Sequence, residues 1–192
     1  MCLIGRRSED NPDHFVFPFP VLDAAGLPVI LGNPRKLPTL AALEPRSPAG
    51  TYPFAHLFNG ALIASSAMRQ IGNVNSDFFI AGDEVDYFFR LRQVGEVISV
   101  LSARHYHPDV SARPWISIKI YYYIRNTLIL NQRYFDHVRL RNSLALVAAL
   151  GRTARRNGVG EALSYLAGTR LPLLLKAVQA GLSGRLGRDF HG

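Results

Sequence analysis

Three stretches of the chain predict a mixed α/β fold. Leu57 to Ala64 is a mostly apolar run of strand length. From Asp83 the apolar residues fall at helical spacing, with Val85, Phe88, Phe89 and Leu91 to Val94 on one face, Gly95 as the stop, and Glu96 to Leu101 as the next short strand. A long helix then opens at Pro114 and Trp115 and runs to about Tyr134, followed by two further helical pieces, Arg139 to Arg152 and Gly160 to Leu182. Strands interleaved with helices place the chain in the α/β class, and its 192 residues at 48% hydrophobic content are enough to bury a core.

The individual elements follow in chain order. Pro12, Pro18, Pro20, Pro28, Pro34, Pro38, Pro45, Pro48 and Pro53 break every candidate helix in residues 1 to 56, which reads as a long irregular segment. Within it, Asp23-Ala24-Ala25-Gly26 predicts a turn into a short strand from Leu27 to Leu31. Asn59-Gly60 marks either a hairpin turn or a place inside a strand where a ligand or a second backbone comes close. Ser65 or Ser66 caps a short helix through Ile71, which Gly72 closes. Asp86 and Arg90 lie four apart on the next helix and share a face, where an ion pair would give structural support. The following strand delivers Ala103-Arg104-His105-Tyr106-His107-Pro108 to its end, where open α/β sheets collect ligand groups. Most of the aromatics around Tyr121, Tyr122 and Tyr123 read as core or interface, but three consecutive tyrosines cannot share one helical face, so at least one is expected to be exposed or near the acceptor.

The chemistry is concentrated in Phe78-Phe79-Ile80-Ala81-Gly82-Asp83-Glu84-Val85-Asp86-Tyr87-Phe88-Phe89-Arg90. Two adjacent acids at the mouth of a helix repel each other and are favoured by its positive end, so one can be held ionised as a proton acceptor. The plain alternative is a helix start with solvated acids. His105 and His107 lie on the same side of an extended chain and are either ligands or ordinary hydrogen bonders. Arg125 offers a fork suited to a phosphate or carboxylate, or else a structural pair to an acid such as Asp86 or Asp109. The sequence contains no Asp-x-Asp and no glycine-rich phosphate-binding motif.

The motifs also occur in a definite order: Asn59-Gly60-Ala61-Leu62-Ile63-Ala64-Ser65, a short helix closing at Gly72, the acidic motif with Arg90, Gly95, His105-Tyr106-His107, and Tyr121-Tyr122-Tyr123-Ile124-Arg125-Asn126. This order resembles the C-terminal half of family 2 inverting glycosyltransferases, in particular the rhamnosyl- and galactofuranosyltransferases of bacterial cell-wall and surface polysaccharide synthesis. The resemblance covers roughly Pro53 to Gln132, with a weaker echo in Gly181-Leu182-Ser183-Gly184-Arg185-Leu186-Gly187. It implies a partial GT-A (nucleotide-diphospho-sugar transferase) fold, the acceptor-side half with C-terminal helices, in which residues 1 to 56 run across the sheet toward the acceptor. Residues 1 to 132 would form that half, and 133 to 192 a basic helical tail.

The resemblance further implies Glu84 as catalytic base, with Asp83 as the substitute because the family's second acid is most often Asp. It implies His107 as ligand to Mn²⁺ or Mg²⁺, and Asn59, Gly60, Arg125 and Trp115 as substrate-binding residues. Asp86 and Arg90 would support the site. The donor would be a nucleotide sugar of the dTDP-rhamnose or UDP-galactofuranose type and the acceptor a lipid-linked glycan. In that family the first half carries an Asp-x-Asp metal motif, so the chain is expected to be a truncated product or half of a split enzyme, with a weakly held cation. A non-catalytic module binding a membrane or partner subunit is the alternative.

Charge separates the two segments. Met1 to Gln132 holds 12 Lys and Arg against 11 Asp and Glu, whereas Arg133 to Gly192 holds 10 against 3, a net of +7. Together with apolar Leu140, Leu144, Val147 and Ala148 at helical spacing, this is an amphipathic basic pattern, read either as a helical hairpin packed on the domain or as a surface docking on an anionic membrane, the two being compatible. Nucleic acid is disfavoured, because zinc spacing, an aromatic single-strand platform and a recognition-helix pattern are all missing from the tail. One cysteine, Cys2, excludes an internal disulfide. Charges placed after a very short apolar start are the reverse of a secretory leader, so none is expected, and no run approaches the ~20 apolar residues of a spanning helix. A cytoplasmic location is expected, peripheral at the inner face of the membrane.

Overall fold

The computed structural model describes residues 2–7, 11–57, 60–106 and 115–190. The chain is mixed α/β and divides into two units. One comprises Met1–Asn73 and Tyr87–Ser111, the other Val74–Asp86 and Ala112–Gly192.

The first unit holds all the strands. β1 (Cys2–Arg7) pairs in parallel with β5 (Ile98–Tyr106), whose other edge takes the two-residue β4 (Thr51–Tyr52) antiparallel. β2 (His14–Pro20) and β3 (Lys36–Thr39) form a separate antiparallel pair. The segment expected to be irregular therefore contains strands after all. Pro18 and Pro20 are tolerated because β2 has a single partner strand, which leaves an edge where no ladder donor is required. Its aromatic residues supply the core, where Phe15, Phe19, Leu37, Leu43 and Tyr52 are buried and the Phe19 ring meets that of Tyr52 edge-on at 5.9 Å.

The Asp23 turn forms as its residues predict: its carboxylate accepts from the N–H groups of Ala25 and Leu27 at 2.9 Å, and Gly26 has a φ of 74°. Beyond it the chain makes only a bridge between Leu22 and Pro28 rather than the expected strand to Leu31.

No strand forms among the described residues of Leu57 to Ala64, where only Ala61 makes a bridge. β1 and β4 already flank β5, and Leu62 is largely exposed, so a doubly buried position is not what this run occupies. α2 (Ser65–Ile71) follows without a side-chain cap from either serine, and Gly72 ends it by donating to Met68 O at 2.9 Å. α3 (Asp83–Arg92) has its first turn in the second unit and its remainder in the first. α1 is a single turn (Leu40–Leu43) capped by Thr39.

The second unit is built on α4 (Ser117–Tyr134), which begins two residues after Trp115 and buries ten of its residues. α5 (Val138–Asn157) and α7 (Leu171–Leu182) pack against it, and α6 (Val159–Ala167) packs on those two. The helix expected from Gly160 to Leu182 is two helices, because Pro172 lacks an N–H to continue the ladder and opens a new helix instead. α7 lies close on α4 through small residues: Ala177 and Ala180 are buried, and a Cβ on Gly181 would come within 2.9 Å of Arg125 O and Leu128 Cβ. Leu128 belongs to the same packed core as Trp115, Tyr121, Tyr122 and Ile124.

Candidate functional site

The loop leading to the acid pair is shaped residue by residue. Asn75 starts it with a local turn, its side chain accepting from Asp77 N at 3.0 Å and its carbonyl from Phe78 N at 3.2 Å. Phe78 then packs on Ile129 and Leu130 of α4, and Phe79 meets Tyr122 edge-on at 5.1 Å. Between Phe79 and Ala81, Ile80 is held at a φ of 70°, a left-handed conformation that is an outlier for a β-branched residue. Its side chain is 44% exposed, so burial does not compensate for that strain. The compensation comes from Asn126, whose amide donates to the carbonyls on either side, Phe79 O at 3.3 Å and Ala81 O. Gly82, at a φ of 95°, closes the loop, where a Cβ would press to 3.1–3.3 Å on Leu130, Asn126 and Phe78.

Asp83 and Glu84 follow at once, partly exposed in the first turn of α3. There they stand at the positive end of the helix. Asp86 is almost wholly buried, accepting from Tyr134 Oη at 2.7 Å with the Arg133 guanidinium 3.6 Å away. These contacts tie the first turn of α3 to α4 through Tyr134 and Arg133.

Arg125 is fully buried. Nε donates to Asn126 Oδ1 at 2.8 Å, Nη1 to Gly187 O at 2.6 Å and Asp189 Oδ2 at 2.8 Å, and Nη2 to Asp77 O at 3.4 Å. The guanidinium also lies 4.7 Å from the Tyr122 ring centroid. The carboxylate it meets is Asp189, 64 residues on; of the two acids named as structural partners, Asp109 lies outside the described residues.

Asp189 is the hub of the surrounding network. Tyr121 Oη donates to it at 2.6 Å, Arg185 lies 2.9 Å away, and the Asp189 N–H donates to Tyr122 Oη at 2.8 Å. Partial burial opposes its ionisation, but hydrogen bonds from Tyr121 and Arg125 and the charges of Arg185 and Arg125 hold the carboxyl below its ordinary range. Burial together with the hydrogen bond to this carboxylate pushes the Tyr121 hydroxyl up to about 12.

The three tyrosines thus find partners on three sides: Tyr121 and Tyr122 are buried against the C-terminal segment, and Tyr123 packs on Trp115 at 5.1 Å. Tyr123 is the least covered of the three, keeping part of its surface exposed while Tyr121 and Tyr122 are fully buried. Trp115 is likewise core, with Arg152 stacked 4.8 Å over its ring and Asn157 bonded to both its backbone N–H and its carbonyl.

The structure therefore gathers Asp83, Glu84, Asp86, Arg125 and the echo motif Gly181–Gly187 into one unit. Gly60 and Arg90 belong to the other unit, where Arg90 donates to Ile71 O at 2.7 Å and Asn73 O at 2.8 Å. Asn59 and His107 lie outside the described residues. Among the described residues, no group of three or more His, Cys, Asp or Glu is placed to hold a metal ion. The residues the sequence did not single out are Asp189, the Tyr121 and Tyr122 hydroxyls and Ile80; the only forward signal for the first is its place two residues past the glycine motif. No protein-family model, no curated protein and no solved structure matches the chain.

Proposed function

We propose that the chain is the acceptor-side part of a GT-A-type inverting glycosyltransferase, with Glu84 as the base and Asp83 as its neighbour. The observation that carries this reading is the presentation of an acid pair at the start of α3 by a strained loop clamped from a buried Arg-Asn pair. Backbone strain of this kind survives only where surrounding contacts impose it, and it concentrates at working sites. In the reaction, the Glu84 carboxylate takes the proton of an acceptor hydroxyl. The hydroxyl oxygen bonds to the anomeric carbon as the bond from that carbon to the diphosphate breaks, and configuration inverts. A divalent cation with His107 among its ligands belongs to the same proposal, and the proton step at Glu84 does not depend on it.

Arg125 is fully buried and its Nη1 is bonded to Asp189 and Gly187, so the part proposed for it in this reading is to order the site. The test is an NMR titration of the purified chain with dTDP-rhamnose or UDP-galactofuranose and Mn²⁺. Binding in the millimolar range is expected, with shifts centred on Asp83 and Glu84 and negligible turnover, because the chain has no Asp-x-Asp motif. Shifts that bypass this loop would overturn the assignment.

A membrane-facing role is proposed alongside it, on a separate observation. Val159, Leu163 and Leu166 recur along α6 at one face and are exposed, as are Leu175 and Leu182 on α7, within the segment of net charge +7. No helix among the described residues is long and apolar enough to cross a membrane, so this face would lie in the interface of an anionic leaflet. Each engaged Lys or Arg contributes about 1 kcal/mol there, and salt weakens it. The chain is expected to sediment with anionic vesicles at low salt, and Leu163→Gln with Leu166→Gln to release most of it. Equal binding to neutral vesicles would reject the electrostatic part, and unchanged binding of the double variant would reject the face.

A further inference from the structure

We propose that the C-terminal segment Gly187–Asp189 sets the conformation of the loop Phe78–Gly82 through Arg125 and Asn126, which makes these two buried residues positioning residues for the acid pair. The significance for catalysis rests on the reading of Glu84 above, whereas the mechanical linkage stands on geometry alone.

The linkage is a continuous series of polar contacts. Asp189 Oδ2 and Gly187 O orient Nη1 of Arg125. Nε of the same guanidinium then holds Asn126 Oδ1 at 2.8 Å, which settles which end of the amide faces the loop. With its oxygen engaged, Asn126 presents Nδ2 to the carbonyls of Phe79 and Ala81, the two peptide groups that bracket Ile80. A second tie runs directly, since Gly187 N donates to Asp77 O at 3.0 Å and Arg125 Nη2 reaches the same carbonyl. The loop is thus held at Asp77, Phe79 and Ala81 by groups whose orientation depends on the last residues of the chain.

Ile80 shows that this holding is active. A β-branched residue at a φ of 70° departs from that conformation unless something prevents it, and here its side chain is partly exposed and contributes little restraint. Two residues later Gly82 turns the chain into Asp83, so a loop released at Ile80 re-aims both carboxylates. Asp189 faces Arg125, Tyr121 and the Tyr122 hydroxyl from α4 and Arg185 from its own segment, while Lys176 of α7 stands over the adjacent Tyr121 and Phe190 rings. Neutralising Asp189 by acid leaves these cations facing an uncharged group and loosens the first contact of the series.

Hydrogen exchange on the full chain tests the linkage. Asn126→Asp keeps the volume and the acceptor for Arg125 but deletes both donors to the loop. The hydrogen-bonded amides at the two ends of the loop, Phe78 on Asn75 O and Asp86 on Gly82 O, are expected to exchange at least about tenfold faster, with the middle of α4 unchanged. Asp189→Asn is expected to act in the same direction from the far end, and to remove the acid-induced rise expected of the parent chain. Adding Ile80→Gly to Asn126→Asp is expected to recover much of the protection, because glycine adopts this φ freely. Unchanged loop exchange in Asn126→Asp, or an increase spread equally along α4, overturns the proposal, as does failure of Ile80→Gly to recover protection. Exchange is read without substrate, so a failure of the functional reading shows separately, in turnover that is indifferent to Glu84→Gln.

Discussion

Asp189→Ala is expected to destabilise the second unit by about 3–5 kcal/mol, the range for removing one partner of a buried ion pair. The reason is the position of Arg125, which has no exposed surface and so has no water to replace the lost carboxylate. Trp115 is the only tryptophan and sits in the core of this unit, so its fluorescence in a urea titration reports the loss. A double-mutant cycle with Arg125→Met is expected to show coupling of at least about 1.5 kcal/mol. A cost under about 1 kcal/mol for Asp189→Ala would place this contact among surface pairs and remove the basis of the network.

The pH dependence has a definite sign. The Asp189 carboxyl titrates below its ordinary range in the folded chain, so its contribution is fully present above pH ~4 and is lost as the pH falls through the folded value. Asp189→Asn should abolish that acid limb. At the alkaline end Tyr121 is held up to about 12 against an ordinary value of 10.0, so its contribution is complete below pH 10.0 and disappears as the pH climbs toward 12. Tyr121→Phe is expected to flatten this second limb while leaving the first in place.

Glu84→Gln carries the largest expected effect on activity. In any preparation that transfers sugar, it should lower turnover by at least about 10²-fold with donor binding nearly intact, the pattern of losing a group that acts only as the bond is made. Asp83→Asn is the internal comparison, since the two acids lie in the same turn and feel the same helix end. If Asp83→Asn abolishes turnover and Glu84→Gln is mild, the roles within the pair are reversed. If both are mild, the acids serve the helix start and the functional reading falls. An exchange measurement on each variant separates lost chemistry from a displaced loop.

Much of this architecture was legible in local signals. Asp23 with Gly26, Gly72 and Gly95 are chain punctuation that acts within four or five residues, and the turn, the end of α2 and the end of α3 lie where these residues put them. The long helix expected to open at Pro114 and Trp115 and to run to about Tyr134 likewise forms, from Ser117 to Tyr134. The acid pair could be named as a candidate for the same reason, being adjacent in sequence and next to a glycine.

What only the tertiary structure decided concerns partners distant in the chain. β2 and β3 form in a proline-rich stretch because pairing and an aromatic core outweigh weak local preference, and that outcome depends on which residues come to face them. Leu57 to Ala64 looks like a buried strand, yet among its described residues only Ala61 makes a bridge, since apolar content alone does not supply backbone partners. Arg125 was recognisable as a group seeking an anion, but its meeting with Asp189 spans 64 residues and is chosen by how α7 returns across α4 over Gly181. Local sequence thus determined the helices and the chemistry they could carry. The pairing of buried charge and the strained aim of the acid loop arose from long-range packing, because the energy of a desolvated contact depends on what surrounds it, not on the residues beside it in the chain.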